Sequence, residues 1–324
     1  MSDTVLELAS VSKHFPIRSL RSYGKAVHAM DDVSFSLARG ESLALVGESG
    51  SGKTTTASVI ARIYEKSSGS LSFGGEEARP FRNRAEALGH KKNVQMIFQD
   101  PFGSLNPTHT IREILERPFL IHGLAKGRAE LEERLVAILE QVGLSPAAEY
   151  LRRYPHELSG GQRQRVNIAR TFAVEPGIVL ADEPTSMLDV SIRMGIMNMM
   201  LALKESRGVS YLYITHDLAG ARYMCSRIAV MYAGMIMEIG PTEEVISKTC
   251  HPYVELLKEA SPSPESGFAR KRTPAKGEIP SLIDPPAGCR FHPRCPKAKA
   301  ACSAAIPAMR DLGNGHLVRC VLYD

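Results

Sequence analysis

The chain has no long apolar run. Nothing in its 324 residues approaches the ~18 uninterrupted apolar side chains that a membrane span needs, so no part of it is expected to cross a bilayer. The opening residues, MSDTVLELASVSKHF, hold no apolar signal core, and the expectation is a chain that stays in the cytosol. Charge of one sign is scarce as well: a formal +5 is a mild basic excess, too small to argue for nucleic acid. Paired C-x₂-C spacing is also missing. There are six cysteines, and four of them, Cys289, Cys295, Cys302 and Cys320, crowd into the last 36 residues. In a cytosolic chain these are free thiols or metal ligands rather than disulfides. The apolar fraction of 44% is ordinary for a globular core, and the length suits one large or two modest domains.

The rest of the chain is organised around GESGSGKTT, Gly47 to Thr55. It fits G-x-x-x-x-G-K-[ST] through Gly47, Gly52, Lys53 and Thr54. ESLALV before it reads as a buried strand, and TTTASVIARIY after it, Thr54 to Tyr64, reads as a helix. Strand, glycine loop and helix is the context that makes the motif credible. Glycines let successive backbone N–H groups turn toward one anion, and the helix N-terminus adds its positive end. Lys53 reaches the β- and γ-phosphates, and the Thr54 hydroxyl ligates Mg²⁺.

Around this loop the pattern is α/β. Residues 4–9 and 32–38 alternate apolar and polar side chains and read as antiparallel strands, with an exposed basic loop between them. Phe15 before that loop is a candidate to stack on adenine, or else a half-buried strand residue; Tyr23 is a weaker candidate. SGSLSFGG is a short strand and turn. NVQMIFQDP is a strand ending in Gln99, which can reach a metal ion or an attacking water. The following DPFGSLNP reads as a polar, mobile surface loop. Residues 110–142 are helical, broken at Pro118 and Gly123.

LSGGQ, 158–162, reads as a second glycine turn leading a helix whose N–H groups face outward. It has no lysine, so it serves a different nucleotide or the far side of one bound by a second copy. GIVLADEP is a strand ending in two carboxylates: Asp182 to hold Mg²⁺ through water near Thr54, Glu183 to polarise the attacking water. Paired acids at a strand's C-terminal end fall where α/β sheets place their sites. The methionines of RMGIMNMMLAL read as core packing. VSYLYITHD is a strand ending in His216, which alone would read as a structural hydrogen-bonder; ending a strand like those that carry Gln99 and Asp182, it is a candidate to meet the γ-phosphate.

Together these residues resemble the ATPase subunit of an ABC transporter. GESGSGKTT matches the Walker A loop, Gln99 the Q-loop, LSGGQ the signature, IVLADE (178–183) Walker B, SMLD (186–189) the D-loop and His216 the switch histidine. The order is the family's own. Met187 stands where alanine is common, but Asp189 is present. DPFGSLNP, YPHELSGGQRQR, HPYVELL (251–257) and GCRFHPRCP (288–296) resemble the oligopeptide/dipeptide importer subfamily, some of whose members carry other solutes. The resemblance implies a P-loop NTPase fold with a RecA-like core, an antiparallel β subdomain and a helical signature subdomain. The nucleotide-binding domain would cover 1–245 and a cysteine-containing extension 246–324.

It implies ATP held by Phe15, Gly47, Glu48, Ser49, Gly50, Ser51, Gly52, Lys53, Thr54, Thr55 and Gln99 of one chain. Ser159, Gly160, Gly161 and Gln162 of another chain complete the site. Mg²⁺ is shared by Thr54, Gln99 and Asp182, and hydrolysis falls to Glu183, His216 and Gln99. Partners are a second ATPase, with a heterodimer favoured, two permeases and a substrate-binding protein outside the membrane; no nucleic acid is expected. The subunit would sit peripherally on the cytoplasmic face of the inner membrane. Two alternatives, a soluble ABC ATPase acting on ribosomes or nucleic acid and a non-hydrolysing regulatory subunit, fit less well: there is one nucleotide domain, no long heptad run, and Glu183 and His216 are intact.

The tail begins with a linker rich in proline, serine and glycine, 260–288, read as extended over a surface. Four cysteines follow with five, six and seventeen residues between successive members. Four thiolates can hold a [4Fe–4S] cluster or zinc, and the resemblance favours the cluster in a structural role. His292 and His316 are not needed for it. Cys225 and Cys250 read as isolated packing residues.

Overall fold

The structure is a computed structural model, and it describes residues 3–17, 24–260 and 278–324. Tyr23 and residues 261–277 of the linker lie outside the described residues. In chain order the strands are β1 (Thr4–Pro16), β2 (Ala26–Ala38), β3 (Ser42–Val46), β4 (Ser68–Phe73), β5 (Glu76–Glu77) and β6 (Val94–Ile97). They continue with β7 (Ile178–Asp182), β8 (Ser210–Thr215), β9 (Arg227–Tyr232), β10 (Met235–Pro241), β11 (Arg310–Asp311) and β12 (Leu317–Val318). The helices are α1 (Lys53–Ile60), α2 (Arg84–Asn93), α3 (Ile111–Ile121), α4 (Arg128–Gln141), α5 (Ala147–Arg152) and α6 (Gly160–Phe172). After them come α7 (Val190–Arg207), α8 (Leu218–Met224), α9 (Thr242–Ser247), α10 (Pro252–Ala260) and α11 (Ala301–Ala304). Two compact units emerge: one joins the chain up to Ala78 with everything from Tyr213 onward, the other is Arg79–Leu212. Strand β8 crosses the division.

The first unit holds an antiparallel sheet in the order β2-β1-β4-β5. Strands β1 and β2 are longer than the expected 4–9 and 32–38, pairing out to Pro16 opposite Ala26. Alternation breaks at Ser10 and Asp32, where φ is +50° in each. Register shifts there let the ladder resume beyond the break, so periodicity alone stopped short. The same unit carries β3, every residue buried, parallel to β9. A strand covered on both faces reads as one apolar run, as LALV does. Strand β10 lies antiparallel to β9, and the tail returns to it: β12 pairs with β10, Glu238 opposite Val318, and β11 pairs with β12. The described end of the linker does lie on a surface, with His28 N–H donating to Leu282 O at 2.8 Å.

The second unit pairs β6 and β7 in parallel and packs a helical group beside them. Thr110 and Glu113 close a capping box at the start of α3. Pro118 does not break that helix, contrary to expectation: Ile111, Ile114, Leu115 and Phe119 form a buried stripe on both sides of the proline. Burial of that stripe offsets the lost backbone hydrogen bond. The chain turns at Gly123 instead, where φ is +62°. Of the methionines in α7, Met197 and Met200 are buried while Met194 faces out, so packing accounts for only part of the run.

Candidate active site

The glycine loop joins β3 to α1 in the first unit. Two of its glycines are dictated by space: a Cβ on Gly47 would lie 2.1 Å from Met231 O, and one on Gly52 2.3 Å from Ala29 O. Gly52 precedes α1 with φ +104°, and no side chain caps the helix, which leaves its first turn to an anion. Lys53 is buried and its Nζ donates to Gly47 O at 2.7 Å and Glu48 O at 2.8 Å, so its ammonium is folded over the loop's own carbonyls. Thr54, the expected Mg²⁺ ligand, is exposed at the start of α1. Helix α1 ends at Ile60, short of the expected Tyr64. Arg62 takes φ +57° and Ile63 N–H reaches back to Ser58 O, a Schellman ending. That stop turns Tyr64 toward Phe15, the two rings meeting edge to face at 5.1 Å. Phe15 is half-buried, and Tyr64 is an aromatic partner at the same spot that sequence reasoning missed. His216 lies in the same unit, exposed, one residue past β8.

The expected acids lie in the second unit. Asp182 is the buried last residue of β7, and Glu183 follows it with φ +45°. A left-handed glutamate costs about 1 kcal/mol, and such strain is typical where a side chain must be aimed. Ser186 pins the turn by donating its hydroxyl to Glu183 O at 3.0 Å. Gln99 stands two residues beyond β6 rather than at its end, exposed, and its Nε2 donates to Glu183 Oε2 at 3.4 Å. Thus two predicted catalytic side chains separated by 84 positions meet.

The signature differs from a glycine turn. Ser159 is the N-cap, and Gly160 and Gly161 are the first residues of α6. Ser159 and Gln162 close a reciprocal capping box, so two of the outward groups are already partnered. A Cβ on Gly161 would meet Ile192 Cγ2 at 2.7 Å, which explains the glycine by close packing against α7. Gln164, buried, ties α6 to the Walker B turn through Pro184 O at 2.8 Å. The loop after Gln99 is built rather than mobile: Asp100 Oδ1 accepts from Phe102 N–H at 2.8 Å, Leu105 is buried, and Arg170 donates to Ser104 O at 2.6 Å. Phe98 and Phe102 remain exposed beside it.

The tail's four cysteines lie near enough to influence one another's thiols. Cys289 N–H donates to Cys302 O at 2.8 Å, and Cys302 and Cys320 are buried. Burial, and then the neighbouring thiols at 302, 320 and 295, push the Cys289 thiol up to about 11. Cys295 and Cys320 are raised by burial and by Cys302 in the same way. His292 Nδ1 lies 2.8 Å from Cys289 O, and His316 Nε2 lies 2.8 Å from Glu238 Oε1. Cys250 is not isolated: it lies with buried Glu238 and His316. Cys225 is a buried packing residue.

These motifs match known families. Residues 30–186 match the ABC transporter family, and residues 237–302 match the oligopeptide/dipeptide transporter C-terminal region. Along 99% of its length the chain is 43% identical to the oligopeptide transport ATP-binding protein AppF of Bacillus subtilis, covering 98% of that protein. The chain belongs to the ABC transporter ATPases of the oligopeptide/dipeptide group. The dipeptide transport ATP-binding protein DppF of Haemophilus influenzae is 40% identical over 99% of this ATPase and 97% of its own length. Among solved structures, the ATP-binding cassette MJ0796, a dimer in a post-hydrolysis state with ADP and phosphate, superposes with a TM-score of 0.64. It is 27% identical and spans 73% of this chain and 98% of its own. The α/β fold of the ATPase is therefore that of an ABC cassette. No described helix is long and apolar enough to cross a membrane.

Proposed function

We propose that this ATPase energises an importer of di- or oligopeptides, or of a related small solute, from the cytoplasmic face of the inner membrane. The observation that carries the reading is likeness to peptide-transport ATP-binding proteins along 99% of the chain, tail included, with every nucleotide motif filled. Two ATPase subunits close around two ATP molecules. The loop from Gly47 to Thr55 in one holds the phosphates against Ser159, Gly160, Gly161 and Gln162 of the other. Phe15, with Tyr64 behind it, receives the adenine. Thr54, Gln99 and Asp182 are the residues to hold Mg²⁺, which when bound neutralises charge on the β- and γ-phosphates. Glu183 takes the proton of the attacking water, Gln99 keeps that carboxylate in place, and His216 contacts the γ-phosphate. The exposed Phe98 and Phe102 beside Gln99 pass the motion to two permeases. A second, different ATPase subunit is the favoured partner, and a separate substrate-binding protein selects the cargo. The nucleotide-binding domain covers 1–245 and the extension 246–324.

At the tail, Cys289, Cys295, Cys302 and Cys320 hold a [4Fe–4S] cluster that pins the extension. What favours the cluster over zinc is the tail's resemblance to that of the oligopeptide/dipeptide importer ATPases. Protein purified without oxygen should be brown and contain iron and sulfide; a colourless protein with one zinc would overturn the cluster. The transport reading is tested by reconstituting the ATPase with its permeases in vesicles. Peptide uptake should require ATP, and ATP hydrolysis that ignores both permeases and peptide would refute it.

A further inference from the structure

The tail touches the phosphate loop of its own chain. Arg294, buried, grips Glu48, the second residue of the loop, with two bonds: Nη1 to Oε2 at 2.8 Å and Nη2 to Oε1 at 3.2 Å. The same Nη1 donates to the Tyr232 hydroxyl at 3.3 Å. Tyr253, wholly buried in α10, accepts Glu48 N–H on its hydroxyl at 2.9 Å. Arg290, one turn earlier, is buried too and bonds Ala233 O and Asp31. The next residue, Gly234, donates its N–H to Ser51 O inside the loop at 2.8 Å. Three turn bonds, from His292 N–H to Cys289 O, Arg294 N–H to Phe291 O and Cys295 N–H to His292 O, fix the segment carrying both arginines. Phosphate loops need backbone amides, a lysine and a hydroxyl; none of that calls for a carboxylate, which repels the ligand. A fork-shaped guanidinium is the group that holds a carboxylate in one orientation.

We propose that segment 289–295 is a brace on the phosphate loop, and that Arg294 is a positioning residue that sets ATP affinity by neutralising Glu48 and holding it off the phosphates. The proposal rests on Gly47–Thr55 being the ATP site, which wild-type binding in the same titration tests separately. The experiment is a four-cornered cycle on the full-length chain: wild type, R294M, E48Q and the double variant. MgATP Kd is read by calorimetric titration, with KM and kcat for hydrolysis alongside. R294M should raise Kd and KM about fivefold or more while kcat stays within about twofold. Adding E48Q, which keeps the backbone of the loop and removes only the side-chain charge, should lower Kd at least about threefold from the R294M value, because the freed charge is gone. A role in packing alone predicts no such rescue. The proposal is overturned if R294M binds as wild type does, or if the double variant binds as weakly as R294M. Should R294M fail to fold, R294K decides: it keeps the charge but loses the fork, and Kd should rise about two- to threefold; an unchanged Kd would overturn the proposal.

Discussion

At the residue scale, Glu183 is the proposed base that activates water. Its left-handed backbone and its contact with Gln99 are both explained by one task, presenting a carboxylate at a fixed point. Replacing Glu183 with Gln keeps the shape and removes the base. Turnover should fall at least about a hundredfold with MgATP affinity intact and a closed dimer trapped, read by single-turnover hydrolysis and gel filtration. Wild-type turnover would take Glu183 out of the mechanism. His251 makes a different prediction. Burial pushes its imidazole down to about 3 from the ordinary 6.5, so it folds neutral. As pH falls below about 6.5 the unfolded chain binds a proton that the folded chain refuses, and stability drops toward pH 3. Denaturant melts between pH 7.5 and 4.5 should show that slope, and H251N, which can still accept from Tyr253 N–H, should flatten it.

Elements show what a sequence makes plain and what it hides. The strands β3 and β7 and the loop and acids at their ends were legible because each is a local pattern: an apolar run, then glycines or carboxylates. Pairings across long separations were not. Arg294 and Glu48 are 246 positions apart, and a two-residue strand such as β12 has no periodicity to read. Nor could alternation reveal that β1 continues past its irregular register, or that α1 stops at a left-handed Arg62. Within the glycine loop, space separates two kinds of glycine. G52A would drive a methyl into Ala29 O, whereas Gly50, at φ +78°, faces open space and its alanine variant pays only about 1 kcal/mol of backbone strain. G52A should abolish MgATP binding, while G50A should keep Kd within about tenfold of wild type. Equal losses would show that the crowding is not what selects Gly52.

On the scale of the molecule, the tail belongs to the body it follows. The aromatic rings of Tyr232, Tyr253 and Phe291 pack with centroids 4.6 to 5.3 Å apart, and Arg290, Arg294 and Arg319 are buried against Asp31, Glu48 and Asp32. Removing one partner of a buried ion pair leaves a charge that costs roughly 3–5 kcal/mol. The cysteine spacing marked out the tail as a segment apart, but not that its arginines reach the loop Gly47–Thr55. Transport by this ATPase requires membrane partners. The most direct measurement is to isolate the tagged chain from detergent-solubilised membranes and identify every co-purifying chain by mass spectrometry. Two permeases and a second ATPase are expected; ribosomal proteins or nucleic acid, with no membrane protein, would contradict the transport reading.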